Sequence, residues 1–177
     1  MKGYMIAAAA AAFIGSPAAA QAPAQTVVAS PSADLVAIDR AITDVYAVIS
    51  GPPGQKRDFV KMRTMFAPNA LLRVITPTGL KGGTLDEYIA KSGATLEKEG
   101  FTETELGRRT EIYGNLASVW SSYDGRTATG TFKTRGINSF QLVKVGGKWL
   151  VASILWQQET PQLPLPSDFA GSKSAAK

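Results

Sequence analysis

The chain has 177 residues, 45% hydrophobic and 19% charged, with 17 Gly and 10 Pro scattered through it, which is ordinary globular composition and excludes a disordered or fibrous chain. It contains no Cys and no His, which excludes disulfides, thiolate nucleophiles, Ser-His-Asp chemistry and the common Cys- or His-ligated metal sites. The formal charge of +5 is thinly spread and forms no basic stripe, so no nucleic-acid partner is expected.

In chain order, Met1-Lys2-Gly3-Tyr4 is a short basic start and Met5 to Gly15 an apolar, Ala-rich run. Ser16-Pro17-Ala18-Ala19-Ala20 then supplies small residues with an Ala-x-Ala end. This order predicts a signal peptide over residues 1–20, cleaved after Ala20, and a periplasmic or secreted mature chain. The run is too short to span a bilayer, and no later segment is long and apolar enough, so no membrane span is expected in the mature chain. Residues 21–32 are Ala/Pro-rich and read as a disordered linker, leaving residues 33–159 for one domain.

A first helix is expected from Ser30-Pro31, with Leu35, Ile38, Ile42, Val45, Tyr46 and Ile49 on one face, stopped by Ser50-Gly51-Pro52-Pro53-Gly54. Asp58 caps a second helix carrying Phe59, Met62, Met65 and Phe66, ended by Pro68. The basic run Lys56, Arg57, Lys61, Arg63 reads as its solvated face. Leu71 to Ile75 reads as a strand. Thr84-Leu85-Asp86-Glu87 is a capping box opening a third helix, with Gly100 as its stop.

From Phe101 the period changes to two. Strands are expected over Phe101–Tyr113, with a bulge at Gly107, then Leu116–Tyr123, Gly136–Val145 and Lys148–Gln158. A Gly/Thr-rich loop covers Asp124 to Thr134, and Gly146-Gly147 makes a hairpin turn. Residues 160–177 carry Pro161, Pro164 and Pro166 and are expected to form an extended tail. Three helices with one early strand, then four consecutive long strands, imply an α+β fold with helices on one face of a mainly antiparallel sheet.

This order, together with Tyr113-Gly114-Asn115-Leu116-Ala117-Ser118-Val119 and the Gly146-Gly147-Lys148-Trp149-Leu150-Val151 start of the last strand, resembles the nuclear transport factor 2-like superfamily. That superfamily includes the ketosteroid-isomerase-like and SnoaL-like polyketide-cyclase groups, and the resemblance covers about Ala33 to Glu159. It implies a cone-shaped half-barrel, in which a strongly curved sheet wraps the first helix around a cavity, and homodimers that pack through the sheet. The family's final strand often carries a His, where this chain has residues such as Ser153, Ile154 and Leu155. No catalytic residue is therefore transferred.

The residues expected to line a ligand pocket are Tyr46, Met62, Phe66, Trp120, Asn138, Gln141 and Trp156, with Arg135 at its mouth. Trp120 and Tyr123 have opposite parity, so only one of them faces inward from a regular strand; Asn138 and Gln141 likewise share no face. Glu111 and Glu159 are the acids nearest the predicted sheet, whereas Glu103 and Glu105, alternating with Thr102 and Thr104, read as an exposed strand face. Any general base has to be Asp, Glu, Lys or Tyr, and no metal or other cofactor is expected.

Three functions fit these residues. One is an extracytoplasmic pocket for a small apolar or amphipathic molecule. Another is a cofactor-independent isomerase- or cyclase-type enzyme using a Tyr or carboxylate as acid/base. The third is a dimeric interaction module with a filled core. An open cavity without a buried carboxylate marks the first, a carboxylate inside the cavity with a raised pKa and a donor beside it the second, and a closed interior the third.

Overall fold

The computed structural model describes residues 32–171. The leader, almost all of the expected linker and the last six residues of the tail lie outside the described residues. The order is α1 (Ala33–Ile49), α2 (Phe59–Arg63), β1 (Phe66–Thr76), β2 (Gly79–Thr84), α3 (Leu85–Glu99), β3 (Phe101–Tyr113), β4 (Leu116–Thr127), β5 (Lys133–Val145) and β6 (Lys148–Gln158), with a 3-10 turn over Ser167–Phe169. The fold is α+β. Six strands form one open mixed sheet in the order β2-β1-β6-β5-β4-β3, in which only β1 and β6 run parallel.

α1 starts where Ser32 Oγ accepts the Leu35 amide at 3.2 Å, two residues later than the Ser30 cap expected. Its apolar stripe delivers Ile38, Ile42, Val45, Tyr46 and Ile49 to the core, opposite Val119, Phe140, Leu142 and Val151 of the sheet. α3 carries the capping box, with Thr84 and Glu87 bonding each other's backbone, and ends at Gly100 with φ 67°. At the hairpin between β5 and β6, Gly146 and Gly147 take φ values of 56° and 80°, which the favoured two-residue turn requires.

The early strands depart from the periodicity. α2 has only five residues, because the chain turns into the sheet straight after it: the Met65 carbonyl accepts the Val151 amide at 3.0 Å, and Phe66 pairs with Val151. Pro68 and Asn69 (φ 60°) fall where the register shifts between Phe66 and Leu71. β2 was not expected, since Gly79-Leu80-Lys81-Gly82-Gly83-Thr84 has one apolar residue and three Gly; backbone pairing with β1 at the sheet edge holds it. β4 and β5 also run further than expected. Gly125 pairs with Thr134 and Arg126 with Lys133, leaving a loop of residues 128–132.

Two bulges interrupt the ladder, and a bulge bends its strand and reverses side-chain parity beyond it. One falls between Glu105 and Gly107, with Leu106 as the extra residue. The other falls at Ala152, between Val151 and Ser153. The tail is not simply extended. Its 3-10 turn brings Phe169 down on the outer face of the sheet, where the Phe169 carbonyl accepts from Ser122 Oγ at 2.6 Å and the ring lies 6.2 Å from Trp120. No helix among the described residues is long and apolar enough to cross a membrane.

Candidate functional site

Beneath α1, between α3 and the inner face of the sheet, lies an open cavity of about 570 Å³, within the range typical of small-molecule sites. Its apolar wall includes Val45, Ile49, Met62, Phe101, Phe140 and Trp156. The interior is not filled, as an interaction module with a solid core would require.

Inside this wall sits the carboxyl group of Glu103. Burial pushes it up to about 7, against one opposing hydrogen bond from Asn138. Three local features put it there. Gly51 and Phe101 exchange backbone bonds of 2.7 and 3.0 Å, tying the end of α1 to the start of β3. Ser50 Oγ, donating to the Tyr46 carbonyl, accepts the Glu103 amide at 3.0 Å. Inward Phe101 then sets the parity of the strand, and Glu103 and Glu105 share its face.

The polar groups around Glu103 form one directed chain. Arg108 donates Nε to Glu105 Oε1 at 2.8 Å and Nη1 to Asp39 Oδ1 at 2.6 Å, and its Nη2 also reaches Glu105. Residues three apart on a regular strand face opposite ways; the Leu106 bulge puts Arg108 on the same face as Glu105. Ser121 Oγ donates to Glu105. Since Ser121 has one proton, the 2.7 Å bond between Tyr46 OH and Ser121 Oγ is donated by Tyr46. Tyr46 OH in turn accepts from Asn138 Nδ2 at 3.1 Å, and the second hydrogen of that amide goes to Glu103 Oε1, also at 3.1 Å. Every proton in the chain is assigned except that of Glu103.

Three tyrosines line the cavity with it. Burial raises Tyr46 far above the usual phenol range and Tyr88 likewise, with the charge of Glu103 adding to both. Burial pushes Tyr123 up to about 12, with the Thr134 hydroxyl pulling the other way. All three are neutral phenols at any ordinary pH. Gly136 makes room for Tyr123: a Cβ there would lie 2.9 Å from its hydroxyl oxygen and 2.2 Å from the Gln157 carbonyl.

Of the residues expected in the pocket, the structure brings together Tyr46, Met62, Asn138 and Trp156. Three are elsewhere. Phe66 is buried in the core without lining the cavity. Trp120 is on the outer face, 43% exposed, because Ala117, Val119, Ser121 and Tyr123 take the inward positions of β4. Gln141 is also on the outer face, donating to Ser118 Oγ at 3.1 Å. Arg135 is not at the cavity mouth; it pairs outward with Glu159 at 3.1 Å and Asp124 at 3.7 Å.

The acids need the same correction. Glu111 is exposed and Glu159 is engaged by Arg135, while Glu103 and Glu105, read as an exposed face, point inward. The face they share with Phe101 was the signal available in the sequence. Among the described residues no three acidic side chains converge as metal ligands.

No family model and no curated protein sequence matches the chain. Solved structures do. A nuclear transport factor 2-like protein of unknown function from Shewanella baltica is 24% identical, with a TM-score of 0.51, covering 71% of this chain and 96% of its own. A protein described as a candidate ketosteroid isomerase from Shewanella frigidimarina is 17% identical, with a TM-score of 0.52, over 68% of this chain and 94% of its own. One described as a candidate scytalone dehydratase from Novosphingobium aromaticivorans is 14% identical, with a TM-score of 0.53, over 72% and 85%. The chain has the nuclear transport factor 2-like fold.

Proposed function

We propose that the cavity binds a small apolar or amphipathic molecule and that Glu103 carries a proton to and from a carbon of that molecule lying next to a carbonyl. The observation that carries this reading is the buried carboxyl group of Glu103 on the wall of a mainly apolar cavity, held by a single amide donor and poised near neutrality. A base works best when its pKa lies near the working pH. Glu103 as carboxylate takes the α-proton, the C–H electron pair moves into the carbonyl to give an enolate, and the carboxylic acid returns the proton to carbon. Protonation at a different carbon is an isomerisation; loss of a β-leaving group is an elimination. The two named structural neighbours, a candidate isomerase and a candidate dehydratase, lie in these classes, and the analogy is one of fold.

The cone-shaped wrapping of the sheet around α1 belongs to this reading, as the bulged strands are what make room for a ligand beneath the helix. We also take the protein to act outside the cytoplasm, on the strength of the leader over residues 1–20, and to pair two copies through the outer sheet face around Trp120. N-terminal sequencing of the exported protein checks the cleavage after Ala20.

The chemical test is hydrogen–deuterium exchange α to the carbonyl of an apolar ketone such as acetylnaphthalene, followed by NMR in D2O. Wild-type protein is expected to accelerate exchange with a rate rising through about pH 7. Glu103→Gln is expected to lose that acceleration by roughly 100-fold or more. Equal exchange by the two proteins sinks the proposal.

A further inference from the structure

An asparagine side chain can present either its NH2 or its carbonyl to a neighbour, and beside a carboxyl group the choice has a consequence. The NH2 favours the carboxylate, whereas the carbonyl accepts only from the protonated acid. Asn138 is buried, and its Nδ2 lies 3.1 Å from both Tyr46 OH and Glu103 Oε1. Its Oδ1 has no hydrogen-bond partner among the described residues, so nothing on the carbonyl side fixes the amide. The amide is turned by what Tyr46 offers it.

What Tyr46 offers is decided one residue further on. Both oxygens of Glu105 accept from Arg108, so Glu105 has no proton to give. Ser121, fully buried, donates its only hydrogen to Glu105 and accepts that of Tyr46. Tyr46 therefore turns a lone pair to Asn138, and only the NH2 can meet it. A reversed amide would set its carbonyl against the Tyr46 oxygen and Glu103 Oε1 together.

We propose that Ser121 is a positioning residue for Glu103: by taking the Tyr46 hydrogen, it keeps the NH2 of Asn138, and not its carbonyl, turned to the Glu103 carboxyl group. Ser121 does not line the cavity and acts three hydrogen bonds away. The consequence for rate rests on the proton-transfer reading; the consequence for the charge of Glu103 rests on the geometry alone. The titratable groups that share the cavity with Glu103 are Tyr46 of α1, Tyr88, Lys91 and Glu99 of α3, and Tyr123 of β4. β5 and β6 bring no charged side chain to it among the described residues, and Glu105 and Arg108 of its own strand lie beyond Ser121. Asn138 is the one hydrogen-bond donor to the Glu103 carboxyl group among the described residues.

The test follows the Glu103 side-chain carboxyl carbon by NMR against pH, with Glu103→Gln identifying its signal and the exchange assay run alongside. It compares wild-type protein with Ser121→Ala, Tyr46→Phe and the double variant. In Ser121→Ala the Tyr46 hydrogen is released to the Asn138 carbonyl, since the gap left by one oxygen does not admit a water beside the alanine methyl. The amide turns, and the Glu103 midpoint is expected to rise by about one pH unit, the worth of one donor to a charged group. Tyr46→Phe takes away hydrogen and lone pair together, so the amide has no reason to turn and the midpoint is expected to rise less than half as far. The double variant is expected to match Tyr46→Phe, because the hydrogen that turns the amide is gone. A loosened core predicts the reverse, with the double variant shifted at least as far as Ser121→Ala.

An unmoved Glu103 midpoint in Ser121→Ala, or a double variant shifted as far as Ser121→Ala, overturns the proposal. If Ser121→Ala does not fold, Ser121→Cys, of the same shape with a weaker donor, is read by the same two criteria. Failure of this inference and of the proton-transfer reading are separable. Glu103-dependent exchange whose pH midpoint stays at the wild-type value in Ser121→Ala removes the positioning role and leaves the base. A Ser121-dependent Glu103 midpoint without any exchange by wild-type protein removes the base and leaves the positioning role.

Discussion

Arg57 and Glu103 are both ionisable side chains taken inside the protein near the junction of α1 and β3, and the fold treats them in opposite ways. Arg57 is 6% exposed and gives its guanidinium to four carbonyls: Ile49 at 3.1 Å, Gln55 at 2.6 Å, Gly51 at 2.7 Å and Leu96 at 2.9 Å. Those oxygens belong to the C-terminal ends of α1 and α3 and the loop between α1 and α2, where unpaired carbonyls carry partial negative charge. Four of its five N–H groups go to the backbone, and the result is a structural clamp. Glu103 has one donor and an open cavity. Its burial is uncompensated, which is why its proton affinity rises. A buried charge with all its partners holds a fold together, and one short of partners is left able to react.

The largest effect should come from breaking the clamp. Arg57→Met removes four hydrogen bonds to carbonyls of two helix ends and the loop between α1 and α2, and a loss of about 4 kcal/mol is expected from such buried, charge-assisted bonds. Urea denaturation measures it. Arg57→Lys should recover only part, because an ammonium is a point donor that cannot reach all four oxygens in the guanidinium's fork geometry. If Arg57→Met unfolds at the wild-type midpoint, the two sites are not of different kinds.

Glu103→Gln should move stability the other way, and only above a certain pH. Glu103 binds its proton more tightly in the folded chain, with a pKa of about 7 against 4.5 for an ordinary glutamate. Between those values the folded state holds more protons than the unfolded one, so stability falls as pH rises and is lowest above 7. The pKa difference corresponds to roughly 3 kcal/mol. Wild-type protein is expected to lose stability of that order between pH 5 and pH 8 through this group. Glu103→Gln is expected to lack the slope and to be the more stable protein at pH 8. Parallel stability–pH curves for the two would show that the carboxylate is already compensated.

What was legible in the sequence divides along similar lines. Helix faces, the cap of α3 and the β5–β6 hairpin depend on near neighbours in the chain, and Thr84, Gly100 and Gly146-Gly147 act locally, although the α1 cap fell at Ser32 and not at Ser30. The site depends on bulges and on pairing with distant strands. Nothing in Glu105-Leu106-Gly107-Arg108 states which residue is extra, yet that decides whether Arg108 meets Glu105 or faces outward. Glu103 was misjudged because alternation with Thr suggests a wet strand, although Phe101 on the same face pointed inward. Trp120 and Gln141 were candidates by size and polarity, whereas the parity set by Val119 and Phe140 excludes them from the cavity. β2 left no pattern, since an edge strand held by backbone bonds needs no apolar alternation.

A smaller effect tests the chain that feeds Glu103. Tyr46→Phe removes the acceptor for Asn138 and the donor for Ser121, both buried. A loss of about 1–2 kcal/mol is expected for two neutral bonds with partners left behind. It should also change the pH at which exchange activity rises, because the Asn138 amide is then held from one side only. A stability loss with an unmoved pH profile would make Tyr46 a packing residue with no influence on Glu103.

The smallest effect on stability belongs to the outer face, which supplies the control for both inner sites. Trp120, Ser139 and Leu155 are neighbours across β4, β5 and β6, and Trp120 and Leu155 are 43% and 39% exposed. Trp120 also lies under Arg109 and against Phe169 of the tail, so part of its apolar area is already covered within the chain. Trp120→Ala should therefore change monomer stability by only about 0.5–1 kcal/mol, while moving the protein from dimer to monomer in analytical ultracentrifugation if two copies meet here. Neither the Arg57-dependent unfolding midpoint nor the Glu103 pH slope should respond, since the sheet backbone separates the two faces and, among the described residues, no side-chain hydrogen bond joins Trp120 to the directed chain. A Trp120→Ala protein that stays dimeric assigns self-association to another surface. One that becomes monomeric and also loses ligand binding means that the cavity is completed by the partner copy, and the contrast between a closed clamp and an open site would then belong to the dimer.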